Sequence, residues 1–381
     1  LYRGLARTLD QHWVAVWTSL LVFVIANSFT LLSFQANGER NSTTLLGSIL
    51  HMLHLGQPLV AGLTFACAVL FPLFEILAQL YLLSALRWRR EAPGFRFLLR
   101  FLQWSRPWAM SEVFIVAVLV SVSKLSSVAE VIVGPSLWAF GVLTVLLTWI
   151  DSLPAERLWQ AAEQAGVLGP VPASPYRSAA AVDGAADSWL SCRYCSLLCR
   201  NQPHGRNAAL VCPRCHGTLN ARKPWSLAMT WAYLVAAILL YIPANVWPVM
   251  RTSTLVSEQD DTIVSGVIFL WNTGSWLIAV VVFVASVIVP ILKILALIFL
   301  CLDASMRSHW QRHQCTTLYR LVELIGRWSM LDIFVVTLMA ALVHFHTYVN
   351  IVAGPGAAAF GAVVVLTVLA AGSFDPRLLW D

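Results

Sequence analysis

Apolar stretches too long for a soluble core recur along this chain, and they leave few folds open. The first, Trp13 to Phe34, runs 22 residues without a charge, and about 20 apolar residues suffice for an α-helix to cross the hydrocarbon of a bilayer. It lacks a small-residue cleavage site, so it is expected to stay as a helix. Hydrophobic residues make up 59% and charged residues 12% of 381, against about 25% charged in globular proteins. A polytopic membrane protein is expected. The net charge of +6 sits in short basic clusters between apolar runs, where it sets topology against anionic lipid. No nucleic-acid partner is expected.

Arg3 and Arg7 place the start of the first span in the cytoplasm and the polar stretch from Gln35 to Thr44 outside. A second apolar stretch, Leu45 to Leu86, is split by Gly56-Gln57-Pro58 into a short lead-in helix and a full crossing. The cluster of Arg87, Arg89, Arg90, Arg96, Arg100 and Arg106 then reads as cytoplasmic. A third span starts near Met110, Lys124 and Glu130 mark a polar turn, and a fourth runs from Val131 to Ile150. After Lys223 the pattern restarts, with spans near 227–249 and 274–300, an acidic outer loop (Glu258, Asp260, Asp261), an inner loop carrying Arg307, Arg312, Arg320 and Arg327, and two more spans. The expectation is an all-α protein of eight transmembrane helices with both termini in the cytoplasm.

The restart is a repeat. Ala26-Asn27, Gly56 and Pro72 recur as Ala244-Asn245, Gly274 and Pro290 at a shift of 218. Met110, Phe114, Gly134-Pro135 and Ala139-Phe140-Gly141 recur as Met330, Phe334, Gly354-Pro355 and Ala359-Phe360-Gly361 at 220. Four spans per copy bring both copies in from the same side, as parallel units with a substrate path between them. The expected divisions are a first transmembrane unit over 1–151, an amphipathic helix and Ala/Pro-rich linker over 152–191, a small metal-binding insert over 192–220 and a second transmembrane unit over 221–381.

The insert carries Cys192-Arg-Tyr-Cys195 and Cys212-Pro-Arg-Cys215. Two such pairs read as the knuckles of a zinc ribbon, each aiming two thiolates at one tetrahedral site. A closed structural zinc folding about 30 residues, too few for a core of their own, is expected. Thiol redox chemistry is the other reading. Cys199, His204 and His216 are spare donors without knuckle spacing. At the 218 shift Leu1 falls opposite Leu219, so a further ribbon is expected before residue 1.

Inside the spans the informative residues are charged. Lys293 and Asp332 lie at similar depth, within about 7 to 12 Å of the cytoplasmic interface at 1.5 Å per residue. Ser286 and Ser329 share their helix faces, and Thr367 on the last span closes the ring. An ionisable group in hydrocarbon costs at least about 2.5 kcal/mol and by default marks a pathway or relay. In the first copy the matching positions are Glu75 and Glu112, with no basic partner expected at that depth. Asn27 and Asn245 are read as mid-span amides bonding across helices, Pro72, Pro135, Pro290 and Pro355 as kinks, and Lys124 and His344 as polar groups near the outer face.

These residues resemble the paraquat-inducible protein A family, through the two Cys-x-x-Cys pairs, Arg327-Trp-Ser-Met-Leu-Asp332, the paired Gly-Pro motifs and Asp375-Pro-Arg-Leu-Leu-Trp380. The resemblance implies an inner-membrane subunit of a Gram-negative envelope lipid-transport system, tetraspanin-like four-helix units, a periplasmic MCE-domain tunnel partner and coupling to the proton gradient. No enzyme is expected. The chain has no Gly-x-x-x-x-Gly-Lys-[Ser/Thr], no His-Glu-x-x-His and no Gly-x-Ser-x-Gly motif. A redox-responsive membrane protein and a passive anchor for the tunnel are the alternatives.

Overall fold

The computed structural model describes residues 2–36, 39–89, 93–125, 130–168, 189–200, 211–220, 222–254, 258–272, 274, 276–306, 312–328, 330, 333–335, 337–338, 344–345 and 349–380. Two compact units emerge: Leu1–Phe23, Phe71–Ala109 and Val142–Ala221 in one, Val24–Leu70, Met110–Gly141 and Arg222–Asp381 in the other. The linker from Pro170 to Asp187 falls outside the described residues.

Helices dominate. The first copy contains α1 (Tyr2–Ser28), α2 (Leu45–His54), α3 (Pro58–Phe65), α4 (Phe71–Trp88), α5 (Phe95–Ser105), α6 (Ser111–Leu125), α7 (Pro135–Asp151) and α8 (Ala155–Gln164). The second contains α9 (Ser226–Val246), α10 (Ile263–Asn272), α11 (Trp276–Phe283), α12 (Val289–Met306), α13 (Arg312–Trp328) and α14 (Pro355–Ser373). Among the described residues, five helical stretches are long and apolar enough to cross a membrane: Leu9–Ser28, Pro58–Trp88, Ser226–Val246, Val284–Met306 and Pro355–Ser373. A sixth appears if α7 and α8, bent by 60° at their junction, count as one. Of the other spans in the expected eight, the one at α6 is a shorter helix of 15 residues, and the one beginning at Met330 lies largely outside the described residues.

The protein is not all-α. In the first copy β1 (Leu32–Ala36) pairs antiparallel with both β2 (Glu39–Thr43) and β3 (Glu130–Val133), giving the order β2-β1-β3. In the second, β6 (Met250–Thr254) pairs with β7 (Glu258–Asp261) and β9 (Val349–Ala353), and β8 (His344–Phe345) extends the order to β7-β6-β9-β8. The first span therefore ends at Ser28, short of Phe34, and the fourth begins at Pro135 instead of Val131. Val131-Ile132-Val133 is β-branched and fits a pleated ladder as readily as a helix.

The Gly-Pro motifs make this strand-to-helix switch. Gly134 donates its N–H to the Leu31 carbonyl at 3.0 Å, and Gly354 donates to that of Val249 at 2.8 Å. A Cβ at Gly134 would lie 2.0 Å from the Thr30 carbonyl oxygen, and one at Gly354 would lie 2.1 Å from that of Pro248. Pro135 and Pro355 are the first residues of their helices, where the missing N–H costs nothing and the fixed φ helps, so they start helices and do not kink them. Gly134→Ala and Gly354→Ala are each expected to destabilise the protein by about 3 kcal/mol, at the upper end of overpacking costs because the obstacle is backbone. Thermal melts in detergent check this: unchanged midpoints would contradict the close approach.

Pro72 and Pro290 each lie within a continuous helical stretch. Each follows a π-helical turn by two residues, Ala66–Leu70 in the first copy and Val284–Ile288 in the second. Proline leaves the carbonyl four residues back without its helical donor, and a widened turn absorbs the mismatch. Asn27 and Asn245, by contrast, sit next to the ends of α1 and α9 and not mid-span, and the Asn245 amide donates to the Tyr241 carbonyl of its own helix at 2.9 Å.

Each unit has its own core. In the first, α5 and α8 bury Phe95, Leu99, Leu102, Leu158 and Trp159, with the Phe95 and Trp159 rings meeting edge to face at 6.3 Å. In the second, α9 packs along α14, and the two copies meet where Phe114 stacks edge-on to Phe334 at 5.6 Å and Thr64 and Thr337 share a buried hydroxyl contact of 3.1 Å.

Candidate metal centre and intramembrane charges

The two knuckles of the insert fold alike. Ser196 donates its N–H to the Cys192 carbonyl and Cys192 donates to that of Leu197, while His216 and Cys212 repeat the pattern with Cys212 and Gly217. Ser196 and His216, each just past its second cysteine, take left-handed φ values of 54° and 55°. The short hairpin of β4 (Trp189–Ser191) and β5 (Leu198–Arg200) braces the first knuckle. All four cysteines are buried, and their sulfurs lie within 4.8 Å of one another, with Cys192 to Cys215 at 3.4 Å and Cys195 to Cys212 at 3.5 Å. Four thiolates around a tetrahedral ion at about 2.3 Å would be separated by about 3.8 Å, so the donor set fits a metal. Hydrogen bonds among the sulfurs, Cys195 foremost, hold Cys192 down at about 6, and those from Cys192 first push Cys212 below the usual thiol range.

The spare donors stand apart. Cys199 is half-buried on β5, outside the four-sulfur cluster, and desolvation raises its thiol to about 11. His216 is turned to a neighbouring arginine, and His204 falls outside the described residues.

The insert is docked on the first copy. Arg96, Arg100 and Gln103 recur at i, i+4 and i+7 and share one face of α5. Arg96 reaches the His216 ring nitrogen Nε2 at 2.6 Å, Arg100 donates to the His216 carbonyl at 3.3 Å, and Gln103 donates to the Tyr194 carbonyl at 2.8 Å. From α8, Glu163 accepts a two-pronged contact from Arg214 at 2.5 and 2.8 Å. Desolvation opposes the Arg214 charge, but the Glu163 bonds outweigh it and raise the group above its ordinary value. Arg96 and Arg100, expected as topology determinants, thus also hold the insert. The signal that marks them is their spacing, opposite an apolar face of Phe95, Leu99 and Leu102.

Lys293 on α12 is 2% exposed, and among the described residues its ammonium has no hydrogen-bond partner. It abuts α13 at Gly326, where an added Cβ would lie 3.2 Å from Nζ. Ser286, in the π-helical turn before α12, is buried, and Thr367 is buried on α14 with its hydroxyl bonded to the Val364 carbonyl of its own helix at 2.9 Å. Asp332 and Ser329 lie outside the described residues, so of the expected ring only Lys293, Ser286 and Thr367 are described. Glu112 is exposed. Lys124 lies on α6 and His344 on β8 opposite Asn350.

The first copy does hold a basic partner. Glu75 on α4 is 1% exposed, and the Arg106 Nε lies 3.6 Å from its carboxyl and 3.0 Å from that of Asp151 at the end of α7. The turn after α5 carries Arg106 back toward α4, which spacing along the sequence does not reveal.

A family model described as Paraquat-inducible protein A matches residues 9–163 and 227–381, two stretches whose starts lie 218 residues apart. The chain is 34% identical over 368 residues to the intermembrane transport protein PqiA of Escherichia coli strain K12, covering 95% of this chain and 84% of that protein. It is 32% identical to a probable intermembrane transport protein of Haemophilus influenzae, over 95% and 83%. To the lipophilic envelope-spanning tunnel protein A of Escherichia coli strain K12 it is 31% identical, over 96% and 80%. No solved structure matches.

Proposed function

The chain belongs to the paraquat-inducible protein A family, and from that premise we propose that it is the inner-membrane subunit of an envelope lipid-transport system. In this reading it loads or moves phospholipid or another lipid into a periplasm-spanning tunnel of MCE-domain protein and is not an enzyme. The observation that carries the reading is that relatives similar over nearly the whole chain are named for intermembrane transport and for an envelope-spanning tunnel.

Eight crossings, four per parallel copy, put both termini and the insert in the cytoplasm, on the side of the arginine clusters. Cys192, Cys195, Cys212 and Cys215 hold a zinc ion that has a folding role only. The buried, convergent sulfurs support this over thiol redox, since structural sites close all four positions. Lys293, Asp332, Ser286, Ser329 and Thr367 couple lipid movement to the proton gradient, with the enclosed Lys293 ammonium as the group that changes charge.

Purification from native membranes followed by mass spectrometry of the bound species tests the assignment. A lipid and a periplasmic MCE-domain protein are expected in the purified sample. A solitary, lipid-free subunit would count against it.

A further inference from the structure

The position of Lys293 in the second copy is held by Glu75 in the first, at the shift of 218. Both side chains are enclosed, at 2% and 1% exposure. At the shift of 220 Arg106 falls on Gly326, one residue before Arg327, and Asp151 falls on Ala371. What the two copies share at this place is a buried ionisable group, of opposite sign. A purely architectural ion pair would persist as a pair or give way to apolar residues, which commonly serve stability as well or better.

The geometry around Glu75 is that of an incompletely neutralised acid. One guanidinium, that of Arg106, approaches both the Glu75 and the Asp151 carboxyls, nearer Asp151 at 3.0 Å than Glu75 at 3.6 Å. The Arg106 Nε is in hydrogen-bond alignment with neither. Within α4, Gln79 offers its amide to Glu75 at 3.4 Å. On the same stretch of α4, Phe74 meets Phe101 at 4.8 Å and Phe71 meets Trp104 at 6.4 Å, both rings of α5. Among the described residues, the charged groups recorded beside Glu75 are Arg106 and Asp151.

We propose that Glu75 and Asp151, bridged by Arg106, form a proton-binding site in the first membrane copy, in addition to the second copy's Lys293. Two carboxylates and one guanidinium carry a net charge of −1, and one proton held between the carboxyls brings the set to zero. Asp151, with a side chain 38% exposed, is the route by which that proton is exchanged with water, while Glu75 lies behind it. The Arg106 guanidinium follows the charge, drawn toward whichever carboxyl is ionised.

Infrared difference spectroscopy of the full chain in liposomes, recorded from about pH 5 to about pH 9, reads this directly. The wild type is expected to show a carboxylic-acid carbonyl stretch that disappears as pH rises. Glu75→Gln should lack the band, Asp332→Asn should keep it, and Asp151→Asn should shift its midpoint by about half a pH unit or more, as expected of a coupled pair. A wild type with no titrating carbonyl, or a Glu75→Gln protein that keeps the same band, overturns the proposal. Should Glu75→Gln fail to fold, an unshifted midpoint in Asp151→Asn overturns it equally. The measurement needs neither lipid transport nor a partner, so its failure would leave the transport reading untouched.

Discussion

Replacing Cys212 with serine is expected to strip the bound metal from the chain and unfold the insert around it. The four sulfurs converge to within 4.8 Å, and each knuckle turns through a residue at φ near 55°, a conformation that L-residues tolerate only when something holds it. The insert is too short to bury a core, and structural zinc contributes about 10–16 kcal/mol of apparent folding free energy in isolated zinc-finger peptides. Losing one thiolate removes much of that and leaves three buried sulfurs without their shared ion. The damage should extend to the dock, because His216, Tyr194 and Arg214, which meet Arg96, Arg100, Gln103 and Glu163, are all knuckle residues. Metal analysis of the purified wild type is expected to give one zinc per chain, and the variant none, with new protease cleavage near Arg200 and Arg214. A strong chelator should reproduce the cleavage in the wild type. Cysteines that cycle under oxidant with no metal lost would instead favour the redox alternative.

How far the sequence discloses the fold depends on how local the deciding physics is. The Cys-x-x-Cys pairs are self-contained turns, and their spacing carries the site without help from the rest of the chain. The repeat is similarly plain, since Gly134-Pro135 and Gly354-Pro355 sit in the same register as their flanking helices. Their role was harder to see. A proline kinks a helix only if the residues before it are helical, and here they are strands paired with the chain just past α1 and α9. That pairing spans roughly 100 residues and leaves no local mark beyond a few β-branched side chains. The same non-locality hid the partner of Glu75, because Arg106 reaches it only after α5 has folded back. Arg96 and Arg100 were misread because a basic cluster suits two purposes at once, topology and docking.

Removing the ammonium of Lys293 while keeping its volume, as Lys293→Met, is expected to leave the protein folded and to lower lipid transport on the order of a hundredfold, the size that a group carrying a proton through a rate-limiting step commonly contributes. The fold should survive because the ammonium makes no hydrogen bond to any described residue and its stem is already packed beside α13 at Gly326. Burying such a group is costly, and nothing in the packing at Gly326 repays that cost, so a Lys kept there for stability alone is the less economical explanation. Asp332→Asn should lower transport comparably if the two residues act together, and the double variant should then be little worse than either single one, since members of one unit are not additive. Gly326→Leu supplies a separate check: its side chain would need the space the ammonium occupies, so it should depress transport with the charge still present in the sequence. Complementation of a strain lacking its own transporter, with expression matched by immunoblot, measures all four. Full activity in both Lys293→Met and Asp332→Asn would mean that the intramembrane charges carry no coupling, and it would leave the passive anchor, whose sensitive residues lie only on its contact surfaces, as the reading to pursue.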